Sequence, residues 1–316
     1  MNDDKPPYNL EQVRRLLTQE AITVTFGVSA YNEGAGIVET LDSLRHGILE
    51  LGLETSPILL SDSSSDGLTM YSAQEWKRTT GSNLVIQHSD TRRSLKEALN
   101  VILDNCDSDL LILTVGDVVI PKESLGRIVW TLLSPQRPDV AIGAPWPDPS
   151  FCGIRYRAGA WQLRVVQRLA AMSPTDEVRA EGALWGARRE FYKNFRYPIG
   201  SGSIFDDVEL MRAVVTGGYC GVNATSALVY KVPPGSLHDF CLTNRRTRFA
   251  VADQPHKRAW RDWLAFIRET SDDPIGALLY CLYRFYGVLF ARKFMQGTDN
   301  EKWDSSITTK RVATDD

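Results

Sequence analysis

Acidic residues punctuate this 316-residue sequence at the places where strands should end. Leu110 to Val115 is a continuous apolar run with one hydroxyl, the pattern of a strand buried on both faces, and Gly116 and Asp117 follow it directly. Ser61-Asp62-Ser63-Ser64-Ser65-Asp66-Gly67 closes an earlier run, and Ala30-Tyr31-Asn32-Glu33-Gly34 closes the first. In an open α/β sheet, ligands sit at the carboxyl ends of the strands. Carboxylates there accept from a base N–H or from ribose hydroxyls, and one beside a diphosphate holds a divalent cation. Arg93 and Lys96 supply positive charge for phosphate oxygens. Gly116 lets the backbone approach a neighbour. The competing reading is turn chemistry, since Ser and Asp clusters build turns.

The elements that must position these residues alternate. Ala21–Ser29 is β-branched and apolar, a buried first strand. Ile37, Val38, Leu41, Leu44 and Ile48 keep a helical period after it. Strands are predicted at Pro57–Leu60, Asn83–Gln87 and Leu110–Val115, with helices through Met70–Trp76, after Arg92-Arg93-Ser94, and from Lys122–Glu123. Four strand–helix alternations predict an α/β fold with a mostly parallel, helix-covered, Rossmann-like sheet. The division expected is an N-terminal extension over 1–20, a nucleotide-binding half over 21–135, a second half over 136–255, and a helical C-terminal region with a polar tail over 256–316.

Composition excludes several classes. A formal net charge of −3 gives no case for a nucleic-acid partner. There is no GxxxxGK[ST] and no GxGxxG after the first strand, which disfavours P-loop and dinucleotide sites. Five scattered cysteines without CxxC spacing read as reduced thiols, hence a cytoplasmic protein. The first residues, MNDDKPPYNLEQVRR, have no apolar core and do not read as a signal peptide.

Taken in order, VSAYNEG, SDSSSDG, RRSLKEALN and the acid-ended strand before Pro121 resemble glycosyltransferase family 2, with its GT-A fold. The likeness continues through Glu181-Gly182-Ala183-Leu184-Trp185-Gly186, Phe205-Asp206-Asp207-Val208-Glu209, and Arg245-Arg246-Thr247-Arg248-Phe249, a degenerate Q-x-x-R-W. The resemblance implies a hexosyltransferase-type enzyme using a nucleotide-sugar donor and Mn²⁺ or Mg²⁺. Donor contacts then fall to Ala30, Tyr31, Glu33, Asp62, Arg93, Lys96, Gly116, Asp117, Arg245 and Arg248. Acceptor contacts fall to Glu181, Gly182, Trp185 and Asp206. Trp185 fits core packing equally well. The acceptor expected is a saccharide, a lipid-linked molecule or another small hydroxyl compound.

Two departures stand out. The family usually ends the central strand in D-x-D, whereas this chain has Val115-Gly116-Asp117. The paired acids after the second strand are reduced to Ser61-Asp62. Asp117 remains as a metal ligand, with His238 as a late second ligand. Asp207, at a predicted helix start, is the general base for an acceptor hydroxyl, and a carboxylate base implies inversion. The alternative is a non-catalytic or altered-activity sugar-nucleotide-binding protein of the same fold.

Two further segments bear on location. Arg155, Arg157, Arg164 and Arg168 punctuate an apolar-striped helix, as at membrane surfaces, although a core-facing helix fits too. Pro274 to Ala291 is almost wholly apolar but broken by Arg284. At ~1.5 Å per residue it falls just short of a ~30 Å bilayer core. The expectation is a helix that packs on the fold, pairs with a second copy, or docks on the inner membrane face.

Overall fold

The computed structural model describes residues 8–172, 183–199, 206–241 and 260–289. Helix α1 (Leu10–Gln19) opens the described chain, with Asn9 capping the Gln12 N–H at 3.2 Å. A turn through Ala21, at φ 50°, delays strand β1 to Val24–Ala30. That is why the strand begins three residues later than its apolar run predicts.

The first half then alternates as expected. It runs α2 (Ile37–Leu51), β2 (Ile58–Asp62), α3 (Leu68–Thr80), β3 (Leu84–His88), α4 (Leu95–Asn105) and β4 (Leu110–Val115). Ser94 and Glu97 form a reciprocal capping box at the start of α4. Gly52, in the left-handed region at φ 71°, ends α2. After β4 come the short β5 (Val118–Val119), α5 (Ser124–Leu133), β6 (Val140–Pro147), α6 (Arg157–Met172), β7 (Leu184–Arg188) and α7 (Arg189–Asn194). Helix α8 (Asp206–Thr216) and β8 (Gly221–Lys231) follow, and α9 (Trp260–Asp272) and α10 (Pro274–Leu289) close the described chain.

Among the described residues these strands form one sheet in the order β3-β2-β1-β4-β7-β6-β8-β5. The first four pair in parallel. β7 lies antiparallel between β4 and β6, so both halves of the chain share one continuous sheet. β4 shows why its run lacks polar residues. Leu110 and Ile112 join the core cluster that includes Phe26, Leu41 and Ile128. Leu111 and Leu113 face the opposite cluster, with Leu99, Ile102 and Phe191. Alternate side chains on a strand point to opposite faces, and here both faces are covered.

The C-terminal helices dock on α6. Trp161 is buried between Phe266 and Tyr280, with ring centroids 5.0 and 4.6 Å away. Arg157, Arg164 and Arg168 pair with acids of α9 and the α9–α10 junction: Arg157 with Asp273, Arg164 with Glu269 and Asp273, and Arg168 with Glu269 and Asp272. Arg155 lies over the Tyr156 ring. Three of the four arginines that suggested a membrane-facing helix therefore hold two helices in place. Among the described residues no helix is long and apolar enough to cross a membrane.

Candidate functional site

The site grows from the carboxyl ends of β1, β2, β3 and β4, which the parallel pairing gathers at one edge. Ala30 pairs with Asp62, and Asp62 with His88, so the three tips lie side by side. Asn32, at φ 54°, donates its N–H to Ser64 Oγ at 2.7 Å and accepts the Ser65 N–H at 3.1 Å. Ser64 donates both its N–H and its hydroxyl to Asp62 Oδ1. Asp62 Oδ2 meets His88 Nδ1 at 2.8 Å. Asp62 is fully buried, and both its oxygens serve this internal line. Asp66 accepts the Leu68 N–H at 3.0 Å, the turn role read for it from sequence. Above the β1 tip, the Arg92 guanidinium lies 4.5 Å from the centre of the Tyr31 ring, a cation–π stack.

The turn carrying Asp117 is pinned on three sides. Gly116 N–H donates to Ser29 O at 2.8 Å. The buried Thr40 hydroxyl lies 2.9 Å from Gly116 O and 2.6 Å from Val118 O, a shared donor from α2. A Cβ on Gly116 would meet Glu33 Cγ at 3.0 Å and Ala30 Cβ and Ile37 Cδ1 at 3.1 Å. The space beside the turn is therefore filled by Glu33, whose carboxylate also takes the Tyr31 N–H at 3.4 Å. Asp117 itself is half-buried. Val115, where the family's first acid would stand, pairs with Ser29 and packs against the core.

β5 joins this turn to the second half. Val118 pairs with Lys231 and Val119 with Tyr230, which sets the end of β8 against Asp117. Lys231 acts electrostatically on Asp206, at the start of α8. Burial pushes the Asp206 carboxyl above its ordinary value, against the pull of the backbone N–H groups of Asp206 and Asp207 and of Lys231 and Lys96. Lys96, in the first turn of α4, is buried with its Nζ 3.9 Å from Glu209. Burial lowers its pKa, opposed by Glu209 and Asp206. Tyr197 completes the cluster. Asn100 of α4 grips its backbone from both sides, at 2.8 and 2.9 Å. Burial and then the charges of Asp206 and Asp207 push its phenol well above the usual range. Asp207 is half-buried in the first turn of α8, where the helix dipole favours negative charge.

Arg93 is half-buried, and its Nη1 is a buried donor with no acceptor among the described residues. Trp185 is 1% exposed within the cluster around Leu99 and Phe191, so core packing accounts for it and it presents no ring to an acceptor. His238 is exposed within a helical segment at 237–241, capped by Ser236, rather than in a loop. Among the described residues no three His, Cys, Asp or Glu side chains converge as a metal cluster. Glu181, Gly182, Arg245 and Arg248 lie outside the described residues.

Sequence reasoning missed His88, Arg92, Lys231, Tyr197 and Thr40. His88 occupies the last position of β3, so the rule that drew attention to Asp62 and Asp117 reaches it as well. Thr40 and Tyr197 carry no pattern that marks them.

The comparisons with known proteins fit this geometry. Residues 25–195, more than half of the chain, match the family described as glycosyl transferase family 2. The chain belongs to that family. It is a glycosyltransferase, and its sheet is that of the GT-A fold. A solved mannosyltransferase, PcManGT from Pyrobaculum calidifontis in complex with GDP-Man and Mn²⁺, matches with a TM-score of 0.56 at 18% identity, over 89% of this chain and 92% of that one. Glucosyl-3-phosphoglycerate synthase from Mycobacterium tuberculosis, in complex with Mn²⁺, UDP and phosphoglyceric acid, gives 0.47 at 18% identity over 70% and 75%. No curated protein matches the sequence.

Proposed function

We propose that this family-2 glycosyltransferase moves a sugar from a nucleoside-diphosphate donor onto an acceptor hydroxyl, with inversion at the anomeric carbon. Asp207 takes the acceptor proton, and Asp117 holds Mn²⁺ or Mg²⁺. The observation that supports this most is the β5–β8 pairing, which sets the Asp117 turn against Lys231 while Lys231 faces Asp206 beside Asp207. This link supports a reading in which the acids of both halves serve one site. The buried Arg93 Nη1 suits a phosphate oxygen.

The donor set fits a hard cation. Mg²⁺ at nucleotide sites takes one or two carboxylates and completes its shell with water and substrate phosphates, and Asp117 stands on a backbone pinned by Thr40. PcManGT, which shares the fold, holds Mn²⁺ with its GDP-mannose. When bound, such a cation neutralises the leaving diphosphate. The acceptor oxygen attacks the anomeric carbon, the bond to the diphosphate oxygen breaks, and the hydroxyl proton passes to Asp207. A single displacement of this kind inverts the centre. Asp206, buried and under the electrostatic influence of Lys231 and Lys96, lies on the acceptor side.

The second reading, a sugar-nucleotide binder without turnover, draws on Val115 in place of an acid and on the enclosure of Asp62. A partner surface remains on α10, where Ile275, Leu278, Leu282 and Phe285 are exposed along one stripe that suits a lipid surface or a second copy. The donor assignment is tested by calorimetry of nucleoside diphosphates with and without Mn²⁺. Wild-type binding should tighten at least about tenfold with the ion. Asp117→Ala should bind equally with and without it. An ion effect that survives in Asp117→Ala overturns the assignment.

A further inference from the structure

The nucleotide end of the site holds a residue that neither the family match nor the motif order points to. Asp62 stands where the resemblance places base or ribose contact, yet it is fully buried, with Oδ1 taken by Ser64 and Oδ2 by His88. The side chain that continues outward from it is His88, which keeps 22% of its side-chain surface exposed. Its Nδ1 is fixed on Asp62, while its Nε2 lies 3.5 Å from the carboxylate of Asp90, which is fully exposed. One ring edge thus faces the buried line and the other faces outward, towards the exposed Asp90. When one imidazole nitrogen is tied to a carboxylate, ring orientation and tautomer are both set. On the inner side Asn32 donates its N–H to Ser64, Ser64 donates to Asp62, and both Asp62 oxygens are taken, so Asp62 is held from the β1 side. The Tyr31–Arg92 stack stands at the β1 tip, on the other side of β2 from His88.

We propose that His88, held by Asp62, is the specificity-determining residue that meets the edge of the donor's nucleobase through Nε2. Asp62 is its positioning residue and makes no direct contact with the donor. The inference rests on the nucleoside-diphosphate reading of the site. It predicts that base discrimination follows the outer nitrogen of the ring, while attraction for the diphosphate does not.

Two substitutions separate the two ring nitrogens. His88→Asn keeps an amide N–H at the Nδ1 position for Asp62 and deletes the group at Nε2. His88→Gln reaches the Nε2 position and gives up the bond to Asp62. The affinities of UDP, GDP, ADP and CDP, with Mn²⁺ present, are measured by calorimetry beside inorganic pyrophosphate. Wild-type protein should prefer its best base over its worst by about tenfold or more, because a site built around a hydrogen bond rejects partners that cannot make it. His88→Asn should collapse that ratio to roughly threefold or less and leave pyrophosphate binding unchanged. His88→Gln should retain part of the preference. A ratio unchanged in His88→Asn, or a wild-type protein without base preference, overturns the inference and leaves the donor reading standing. A wild-type protein that binds none of the four overturns the donor reading and this inference with it. Histidine ¹⁵N resonances of the wild-type protein give a measurement independent of variant folding. The His88 Nε2 signal should shift with the preferred nucleotide and not with pyrophosphate, and a signal that ignores both overturns the assignment.

Discussion

Glu269 is the acid on which the docking of the C-terminal helices turns. It is 1% exposed and takes Arg164 Nε on one oxygen and Arg168 Nε, at 2.6 Å, on the other. The two arginines keep only 21% and 25% of their side-chain exposure. Glu269→Gln preserves size and removes the charge. Breaking a buried ion pair costs about 3–5 kcal/mol because the partner charge stays buried. Here Arg164 retains Asp273 and Arg168 retains Asp272, so the cost should fall to about 2 kcal/mol. That corresponds to a roughly 30-fold rise in the undocked fraction and, for a chain of this size, a melting shift of roughly 3 °C. Limited proteolysis reads the first quantity when opening is fast relative to cleavage, and cuts within 260–289 should accelerate by that factor. Glu75→Gln, which breaks an exposed pair with Arg78 one turn away, serves as the control and should change neither reading. Acid gives an independent arm. Burial opposes the charge on Asp273, but the Gly276 N–H, Arg157 and Arg164 outweigh it and hold its carboxyl below the usual range. Its contribution is then present above about pH 4 and is lost as pH falls through the depressed folded value. Equal cleavage rates for wild type and Glu269→Gln, with equal melting temperatures, would refute the clamp.

Two further substitutions probe the site's frame. Gly116→Ala should lower the urea midpoint by the equivalent of about 1–3 kcal/mol, since the new methyl meets Glu33, Ala30 and Ile37 at 3.0–3.1 Å; an unchanged midpoint means the turn is looser than described. Asp206 carries a carboxyl raised by burial, so its favourable term is complete below about pH 4 and is lost as pH rises through the folded value. Melting temperatures of wild type minus Asp206→Asn should therefore fall from acid to neutral pH, and a difference that rises contradicts the burial argument.

Much of the first half was legible because strand tips are marked by composition. β4 matched its apolar run residue for residue, and Gly116 proved to be the close approach its lack of a side chain suggested. Other features depend on partners remote in sequence. The sequence does not show that the outer oxygen of Asp62 is taken by His88, which β3 brings to it from 26 residues away. The α6 arginines read as a basic surface because their acids lie more than 100 residues downstream. Trp185 sits next to Gly186, in a segment resembling an acceptor loop, but β7 is an inner strand and alternation carries the indole into the core. The antiparallel insertion of β7 is equally unreadable, since strand–helix alternation carries no information on direction.

The central claim is that Asp207 takes the acceptor proton at a site whose donor is held independently. It is tested most directly by following nucleoside diphosphate release from the preferred nucleotide sugar, with a panel of monosaccharide and glycerol acceptors, in wild type and Asp207→Asn. Loss of a positioned general base should slow release by about 10²–10⁴-fold, with calorimetric affinity for the nucleoside diphosphate unchanged and an inverted anomeric centre in the wild-type product. An Asp207→Asn protein that turns over at the wild-type rate, or a product that keeps the donor's configuration, contradicts the account.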